Sequence, residues 1–202
     1  MQNKEIDGEY YVIQVDRKGL YPWLAWGDYD DTPFLEAESI DISEIPSPLV
    51  VEFDEPYPKT FEMADLHLLG SQFAFTEELK NIFADIYGVE FFEIDKIMDH
   101  KHNSYSGYYA VHIWNTLTAV DMQNYVGKPG RKGYIGSLTK FSLNNEILES
   151  IPLEKRLVFK LREATDIFIV HKSLYEKIED KGFKGFALVS VDKWRETIFD
   201  PM

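Results

Sequence analysis

Cysteine is absent from the 202 residues, so neither disulfide bonds nor thiolate metal ligands can stabilise the fold. No run of about 18 apolar residues occurs, and such a run is what a membrane-spanning helix requires. Residues 1–7 also lack the apolar stretch of a secretory signal. From these absences we expect no membrane association and a cytoplasmic location.

Basic residues are scarce in the first half of the chain. Residues 1–101 hold 23 Asp and Glu against 7 Lys and Arg, whereas residues 102–202 hold 12 against 14. The imbalance is greatest in residues 28–65, where 12 acidic residues face one base, Lys59. Such a surface repels the phosphate backbone of nucleic acids but attracts a basic protein. A simpler alternative is that the acidic loops only keep the chain soluble.

Two segments, residues 73–95 and 167–191, are predicted to form the same succession of strand, helix, glycine and strand. In the first segment, apolar residues with helical spacing define one helix face: Leu79, Ile82, Phe83 and Ile86. Thr76 is the expected N-cap residue, and Gly88 the residue that ends the helix. In the second segment, Ser173 and Glu176 have the spacing of a capping box, and Gly182 closes the helix.

Further strands are predicted where β-branched and aromatic residues cluster: 9–16, 49–53, 108–114, 134–141 and 156–162. The last alternates cleanly, which predicts an outer face of Lys and Arg. Apolar residues make up 45% of the chain, enough for a substantial core. We therefore expect an α+β fold in a single domain, with a mostly antiparallel central sheet and two strand–helix–strand repeat units. An acidic part, residues 1–65, would precede a repeat-containing part, residues 66–202.

Three patterns could carry chemistry, and each is weak. The glycines and basic residues of 127–136 suggest a phosphate loop, but the spacing matches no phosphate-binding motif and a hairpin is the better prediction. Asp99, His100 and His102 could hold a metal, although no third strong ligand is evident. The acids of residues 28–36 resemble a calcium loop, but Pro33 stands where the turn requires glycine. We therefore expect no cofactor, no metal and no enzymatic activity.

Aromatic residues interleave with acids in the segment that follows Trp23. Aromatic anchors beside charges are typical of protein-binding surfaces. The residues predicted to contact a partner are Trp26, Asp28, Tyr29, Asp30, Asp31 and Glu36. The alternative is that the aromatic side chains, above all Trp23 and Trp26, belong to the core.

Three stretches resemble a family of bacterial immunity proteins from polymorphic toxin systems, long catalogued as a domain of unknown function: residues 75–93, residues 114–121, and residues 158–161 followed by 167–191. The resemblance covers about residues 66–192 and leaves residues 1–65 unmatched. It implies a protein that binds and blocks a cognate toxin, and it carries over no catalytic residue. Asp121 matches a recurrent aspartate, for which a turn role and a functional role are both open.

The leading hypothesis is therefore a non-enzymatic cytoplasmic immunity protein whose acidic, aromatic surface occludes a basic toxin. One rival is a metal-dependent enzyme that uses the cluster at residues 99–102. Another is an adaptor module that associates with itself through its helices.

Overall fold

A computed structural model of the chain describes residues 6–16, 20–55, 59–131 and 134–196. Fifteen strands are present in these residues: β1 Tyr10–Val15, β2 Leu24–Ala25, β3 Val50–Phe53, β4 Leu66–Leu69, β5 Gln72–Thr76, β6 Val89–Ile94, β7 Lys96–Met98, β8 Ser104–Tyr105, β9 Tyr108–Ile113, β10 Thr116–Leu117, β11 Val126–Pro129, β12 Ile135–Lys140, β13 Val158–Leu161, β14 Phe168–His171 and β15 Phe186–Ser190. Four α-helices lie wholly within the same ranges and are short: α1 Thr32–Leu35, α2 Glu77–Phe83, α3 Asn145–Glu149 and α4 Lys172–Glu179. The predicted α+β class is confirmed.

The strands form two large sheets where the sequence suggested one central sheet. One has five strands in the order β10-β13-β14-β1-β15, and the other has eight in the order β6-β9-β5-β4-β2-β3-β7-β8. Strands β11 and β12 pair separately as a hairpin. Most neighbours are antiparallel, but β10–β13, β2–β4 and β3–β7 are parallel, so both large sheets are mixed. Strands from residues 1–65 pair with later strands in both sheets.

Each predicted strand–helix–strand segment contains those three elements in order. Helix α2 connects β5 to β6, and β9 lies between these strands. Helix α4 connects β14 to β15, and β1 lies between them. Gly88 and Gly182 both have positive φ, +80° and +66°, a conformation that glycine adopts without strain. Gly88 does not end α2 as predicted, because that helix ends at Phe83 and its C-cap is Ala84. That the two segments are copies of one unit stays a prediction.

The start of α4 differs from the expected capping box. The N-cap is His171, whose Nδ1 accepts a hydrogen bond from the Ser173 backbone N–H at 3.2 Å. Ser173 therefore lies within the first turn of the helix. Strand β14 runs directly into α4, so the last strand residue is already extended and can serve as the cap. At α2 the predicted N-cap, Thr76, is correct, although its hydroxyl donates to Asp65 Oδ1 instead of capping the helix.

One of three hydrophobic clusters lies between the two sheets. Phe73 of the eight-stranded sheet meets Phe168 of the five-stranded sheet with their ring centroids 4.5 Å apart. Leu79 and Phe83 of α2, and Leu174 and Ile178 of α4, are buried against the same cluster, as their spacing predicted. Two further clusters cover the outer faces of the two sheets.

The prediction of a cationic outer face for residues 156–162 is wrong at Lys160, which lies in β13. Lys160 is only 3% exposed because both faces of β13 are covered. Phe159 and Leu161 pack into the outer cluster of the five-stranded sheet, whereas Val158 packs into the core between the sheets. Burial lowers the pKa of the Lys160 ammonium below its usual value.

Candidate partner-binding surface

Residues 28–44, here called the acidic arm, connect β2 to β3. The arm contains seven acidic residues and no Lys or Arg. Its regular structure is limited to α1 and a single turn of 3₁₀-helix at Ile42–Glu44. Pro33 stands in the first turn of α1, where a missing backbone N–H costs nothing.

An aromatic cluster holds the arm on the outer face of the eight-stranded sheet. Phe34 of α1 is completely buried, with its ring centroid 4.4 Å from that of Trp26 and 5.4 Å from that of Phe92. Trp26 is itself 6% exposed, so its ring belongs to the core beneath the arm. Tyr29 is half-buried, and its hydroxyl donates to the Glu44 main-chain oxygen at 3.2 Å. The aromatic residues thus fix the arm, as the core alternative for Trp26 proposed.

Hydrogen bonds from two neighbouring strands add to this attachment. His112 Nε2, on β9, donates to the Glu38 main-chain oxygen at 2.7 Å. Glu90, on β6, accepts from the Ile40 backbone N–H at 3.1 Å and from the Ser39 hydroxyl. Burial lowers the pKa of the His112 imidazole. The ring is therefore neutral near pH 7, and its single proton is on Nε2.

Most of the predicted contact carboxylates face solvent. Asp28, Asp30 and Glu36 are exposed and Asp31 is half-buried. Asp30 Oδ1 accepts from the Thr32 hydroxyl at 2.6 Å and from its backbone N–H at 3.0 Å, and these bonds lower the pKa of the Asp30 carboxyl. The structure therefore brings these acids onto one anchored segment.

The arm also exposes two large aliphatic side chains that the sequence analysis did not single out. Leu35 is 52% exposed and Ile42 is 72% exposed. The segment that contains them shows no clean hydrophobic period, so no sequence pattern assigned either side chain to a buried or an exposed face. Exposed aliphatic residues among acidic side chains make the arm both acidic and locally apolar.

Asp99 organises a turn and is not arranged to bind metal. Its Oδ1 accepts from the backbone N–H groups of Lys101 and Asn103, and its Oδ2 from the Asn103 amide and the Tyr105 hydroxyl, at 2.8–3.2 Å. Burial would raise the pKa of this carboxyl, but the four hydrogen bonds lower it to about 2. His100 and His102 are exposed on the same loop. Among the described residues, no group of three His, Asp or Glu side chains could hold a metal ion.

The glycine-rich segment forms a hairpin of β11 and β12. This is the structure that the sequence analysis favoured over a phosphate loop. A Cβ at Gly127 would lie 2.1 Å from the Ser137 main-chain oxygen, so this glycine permits close approach of the two strands. Lys132 and Gly133, which were part of the phosphate-loop alternative, lie outside the described residues.

Asp121 has the geometry of a turn residue. Its Oδ1 accepts from the Gln123 backbone N–H at 2.9 Å, and its Oδ2 from the Asn124 amide at 2.7 Å. Of the two roles left open by the sequence, the structure supports the turn role.

No helix in the described ranges is long and apolar enough to cross a membrane.

Comparison with known proteins assigns this chain to a family. A search of curated proteins found no match. The model of the immunity protein family Imm11 matches residues 9–193, which includes the acidic arm and most of the N-terminal part that showed no resemblance. Since the match spans most of the chain, the protein belongs to the Imm11 immunity protein family.

Proposed function

We propose that the protein is a non-enzymatic immunity protein that binds a cognate toxin in the cytoplasm of the cell that makes both. The match to an immunity protein family over residues 9–193 is the observation that carries this proposal. An inhibitor of this kind requires a preformed surface and neither a cofactor nor a catalytic group.

We propose further that the acidic arm contacts the toxin. The arm is long and irregular, and such a segment ordinarily loses conformational freedom on binding. Here Phe34, Trp26 and the bond from His112 already hold it against the sheet. Because the arm is already ordered in the folded protein, little further conformational entropy is lost on binding. The exposed carboxylates are then presented to a partner in a fixed arrangement.

The chemistry of the arm selects a basic partner. Seven acidic residues without a neighbouring base in the segment create negative potential that accelerates encounter with a positively charged protein. Leu35 and Ile42 would then supply apolar contact area, which charges at an interface rim do not. A nuclease, whose active surface is basic because it binds phosphates, is one toxin class with this character.

Co-expression tests the function. A toxic domain encoded next to the gene for this protein would serve as the toxin candidate, produced from an inducible promoter with and without the immunity protein. Restored growth together with a stable complex of the two purified proteins supports the proposal. Continued toxicity despite soluble immunity protein, with no complex formed, rejects this pairing and the proposed function with it.

Paired alanine variants test the surface separately. Replacing Leu35 and Ile42 together should weaken toxin binding by at least about tenfold, since buried interface anchors each contribute more than about 1 kcal/mol. The matched control replaces Met122 and Leu153, which are 52% and 44% exposed elsewhere on the protein. Equal affinities of the two double variants would remove the apolar part of the arm from the interface.

A further inference from the structure

A cavity of about 370 Å³ is lined by residues of both large sheets and of strand β12. This volume falls within the range of about 300–1,000 Å³ that is typical of ligand-binding sites. Much of the lining is apolar and buried, and it includes the side chains of Val12, Ile13, Phe73, Ile167, Phe168 and Trp194. The exposed part of the lining, here called the mouth, carries the polar residues Ser71, Asp166, Arg195 and Glu196. The cavity thus combines an apolar interior with a charged mouth.

The cavity lies where β1 continues past its neighbour β14. The pairing of β1 with β14 ends at Val12, whereas its pairing with β15 continues to Val15. The Asp16 N–H donates to the Gly185 oxygen of the β15 side, and hydrogen-bonded pairs alternate along an antiparallel ladder. The N–H and oxygen of Val15, which lines the cavity, therefore point to the β14 side, and neither has a hydrogen-bond partner among the described residues. They offer a main-chain donor and acceptor to an extended segment.

The charges at the mouth favour a cation. Neither Asp166 nor Glu196 forms an ion pair with a described residue. Arg195 also lies at the mouth, but its Nη1 donates to the main-chain oxygens of Asp192 and Trp194, so part of its guanidinium is already engaged. Lys and Arg side chains have an aliphatic stem and a cationic head, which binds carboxylates through charge-assisted hydrogen bonds. An apolar interior below a mouth with two carboxylates matches such a side chain.

The cavity adjoins the acidic arm through the turn between β4 and β5. Gly70, in this turn, lines the cavity and also lies against the start of the arm. A Cβ on Gly70 would lie 2.8 Å from Trp26 Nε1 and 3.5 Å from Asp31 Oδ2. A partner that contacts Asp31 and its neighbours can therefore reach the cavity across a single turn.

We propose that this cavity receives an extended segment of the cognate toxin that carries a Lys or Arg side chain. The inference rests on the proposed function and names the part of the toxin that the protein holds. The main chain of the segment bonds to the free N–H and oxygen of Val15, as in the addition of a strand to a sheet. The basic side chain covers apolar lining with its stem and places its charge at Asp166 and Glu196.

A capped tripeptide, acetyl-Gly-Arg-Gly-amide, is the probe, so the test needs no toxin. Trp194 lines the cavity, whereas Trp23, Trp26 and Trp114 do not, so the four indole N–H signals in an NMR spectrum contain their own controls. We expect millimolar peptide to shift the signals of the Trp194 indole and the Val15 amide in a saturable manner. The amide of Val15 should also exchange with solvent more slowly when the peptide is bound.

The charge of the peptide and of the mouth is varied next. Acetyl-Gly-Glu-Gly-amide should bind at least about tenfold more weakly than the Arg peptide, because it sets like charges against each other. Asp166→Asn combined with Glu196→Gln should abolish this preference while keeping the shape of the mouth. Asp85→Asn combined with Glu93→Gln is the matched control, because both residues are exposed and neither lines the cavity. The control should keep the wild-type preference.

Absence of a saturable shift at Trp194, or an equal response to the two peptides, overturns the inference. So does a preference for the Arg peptide that survives replacement of Asp166 and Glu196. A Trp194 signal that changes with protein concentration instead of with peptide would assign the cavity to a second copy of the chain, which also overturns it. Each of these results leaves the co-expression test of the proposed function unaffected, so the two proposals can fail separately.

Discussion

The imidazole of His112 donates from Nε2 to the main-chain oxygen of Glu38 at 2.7 Å, and this bond joins a buried strand to the acidic arm. His112 is completely buried, and its ring also lies 5.8 Å from that of Phe34. One side chain thus contacts the arm both through the backbone and through its only buried aromatic residue. The position of the arm therefore depends on a buried side chain of β9.

His112→Phe should loosen the arm without unfolding the chain. The substitution keeps an aromatic ring but removes the donor, and a lost hydrogen bond of this kind costs about 1 kcal/mol. Hydrogen exchange should become faster in residues 28–44 and stay unchanged in α2. His100→Phe, at an exposed position, is the control. Unaltered exchange in the arm of the His112 variant would contradict the proposed attachment.

Gly70 lies against the indole ring of Trp26 and leaves no room for a side chain of its own. Its φ is +56°, and a Cβ there would lie 2.8 Å from Trp26 Nε1. Gly70→Ala should therefore cost more stability than the roughly 1 kcal/mol that a positive φ alone imposes on alanine. Gly182→Ala isolates that backbone cost, since its φ is +66° and no atom lies within 4 Å of the added Cβ. Urea unfolding of both variants should give a larger loss for Gly70→Ala, and equal losses would refute the contact.

His67 predicts a loss of stability in mild acid. Its Nε2 accepts from the Ala64 N–H and its Nδ1 donates to the Pro22 oxygen, each at 2.9 Å, so the folded protein requires a neutral ring. Burial lowers the pKa of this imidazole from 6.5 to about 4. Because the unfolded chain takes up the proton first, the contribution of His67 is complete above pH 6.5 and is lost as the pH falls toward 4. The loss amounts to about 3 kcal/mol.

The free energy of unfolding, measured across this pH range, checks the prediction. His67→Gln is the comparison variant, because an amide can accept and donate at similar positions but does not titrate there. The difference in stability between the two proteins should shrink as the pH falls from 6.5 to 4. Parallel pH profiles would show that His67 is protonated equally in both states.

Asp99→Asn should destabilise the loop that carries His100 and His102. All four groups around the Asp99 carboxylate are donors, and an amide nitrogen placed among them can accept none of their bonds. We expect a loss of about 1–3 kcal/mol in the free energy of unfolding. Asp85→Asn is the control at an exposed position with φ of +62°, which Asn also tolerates. A similar loss in both variants would contradict the role of Asp99 in this turn.

The same loop separates an immunity protein from the rival metal enzyme. With Asp99 occupied by its own donors, added Zn²⁺ should not raise the midpoint of thermal unfolding. Elemental analysis of the purified protein checks this independently. A stoichiometric metal lost on replacing His100 and His102 would favour the enzyme.

Local features of the fold followed from the sequence, whereas long-range pairings did not. The strand at residues 9–16 was evident from its β-branched and aromatic residues, and the buried face of α2 from its spacing. That β1 would lie between β14 and β15 could not be foreseen, because no local pattern reports a partner about 160 residues away. The same limitation explains why the burial of Lys160 was not predicted. Alternation within β13 predicts one solvent-exposed face, but hydrophobic clusters cover both faces of this strand.

The acidic arm was predictable in charge but not in shape. Its carboxylates were identified directly, and most of them are exposed. The depth of Trp26 depends on Phe34, Phe92 and Gly70, which come from three separate elements. The exposure of Leu35 and Ile42 depends on the same packing, so it follows only from the three-dimensional fold.

The salt dependence of toxin binding tests the central claim most directly. Asp28, Asp30 and Asp31 are replaced together by Asn, which keeps the acceptor that Asp30 offers to Thr32. The control replaces Glu146, Glu149 and Glu154 by Gln, which removes the same charge from exposed positions far along the chain. We predict that the Asn variant binds more weakly and with a flatter dependence on salt than both the wild type and the control. Wild-type affinity and salt slope in the Asn variant would contradict binding through the acidic arm.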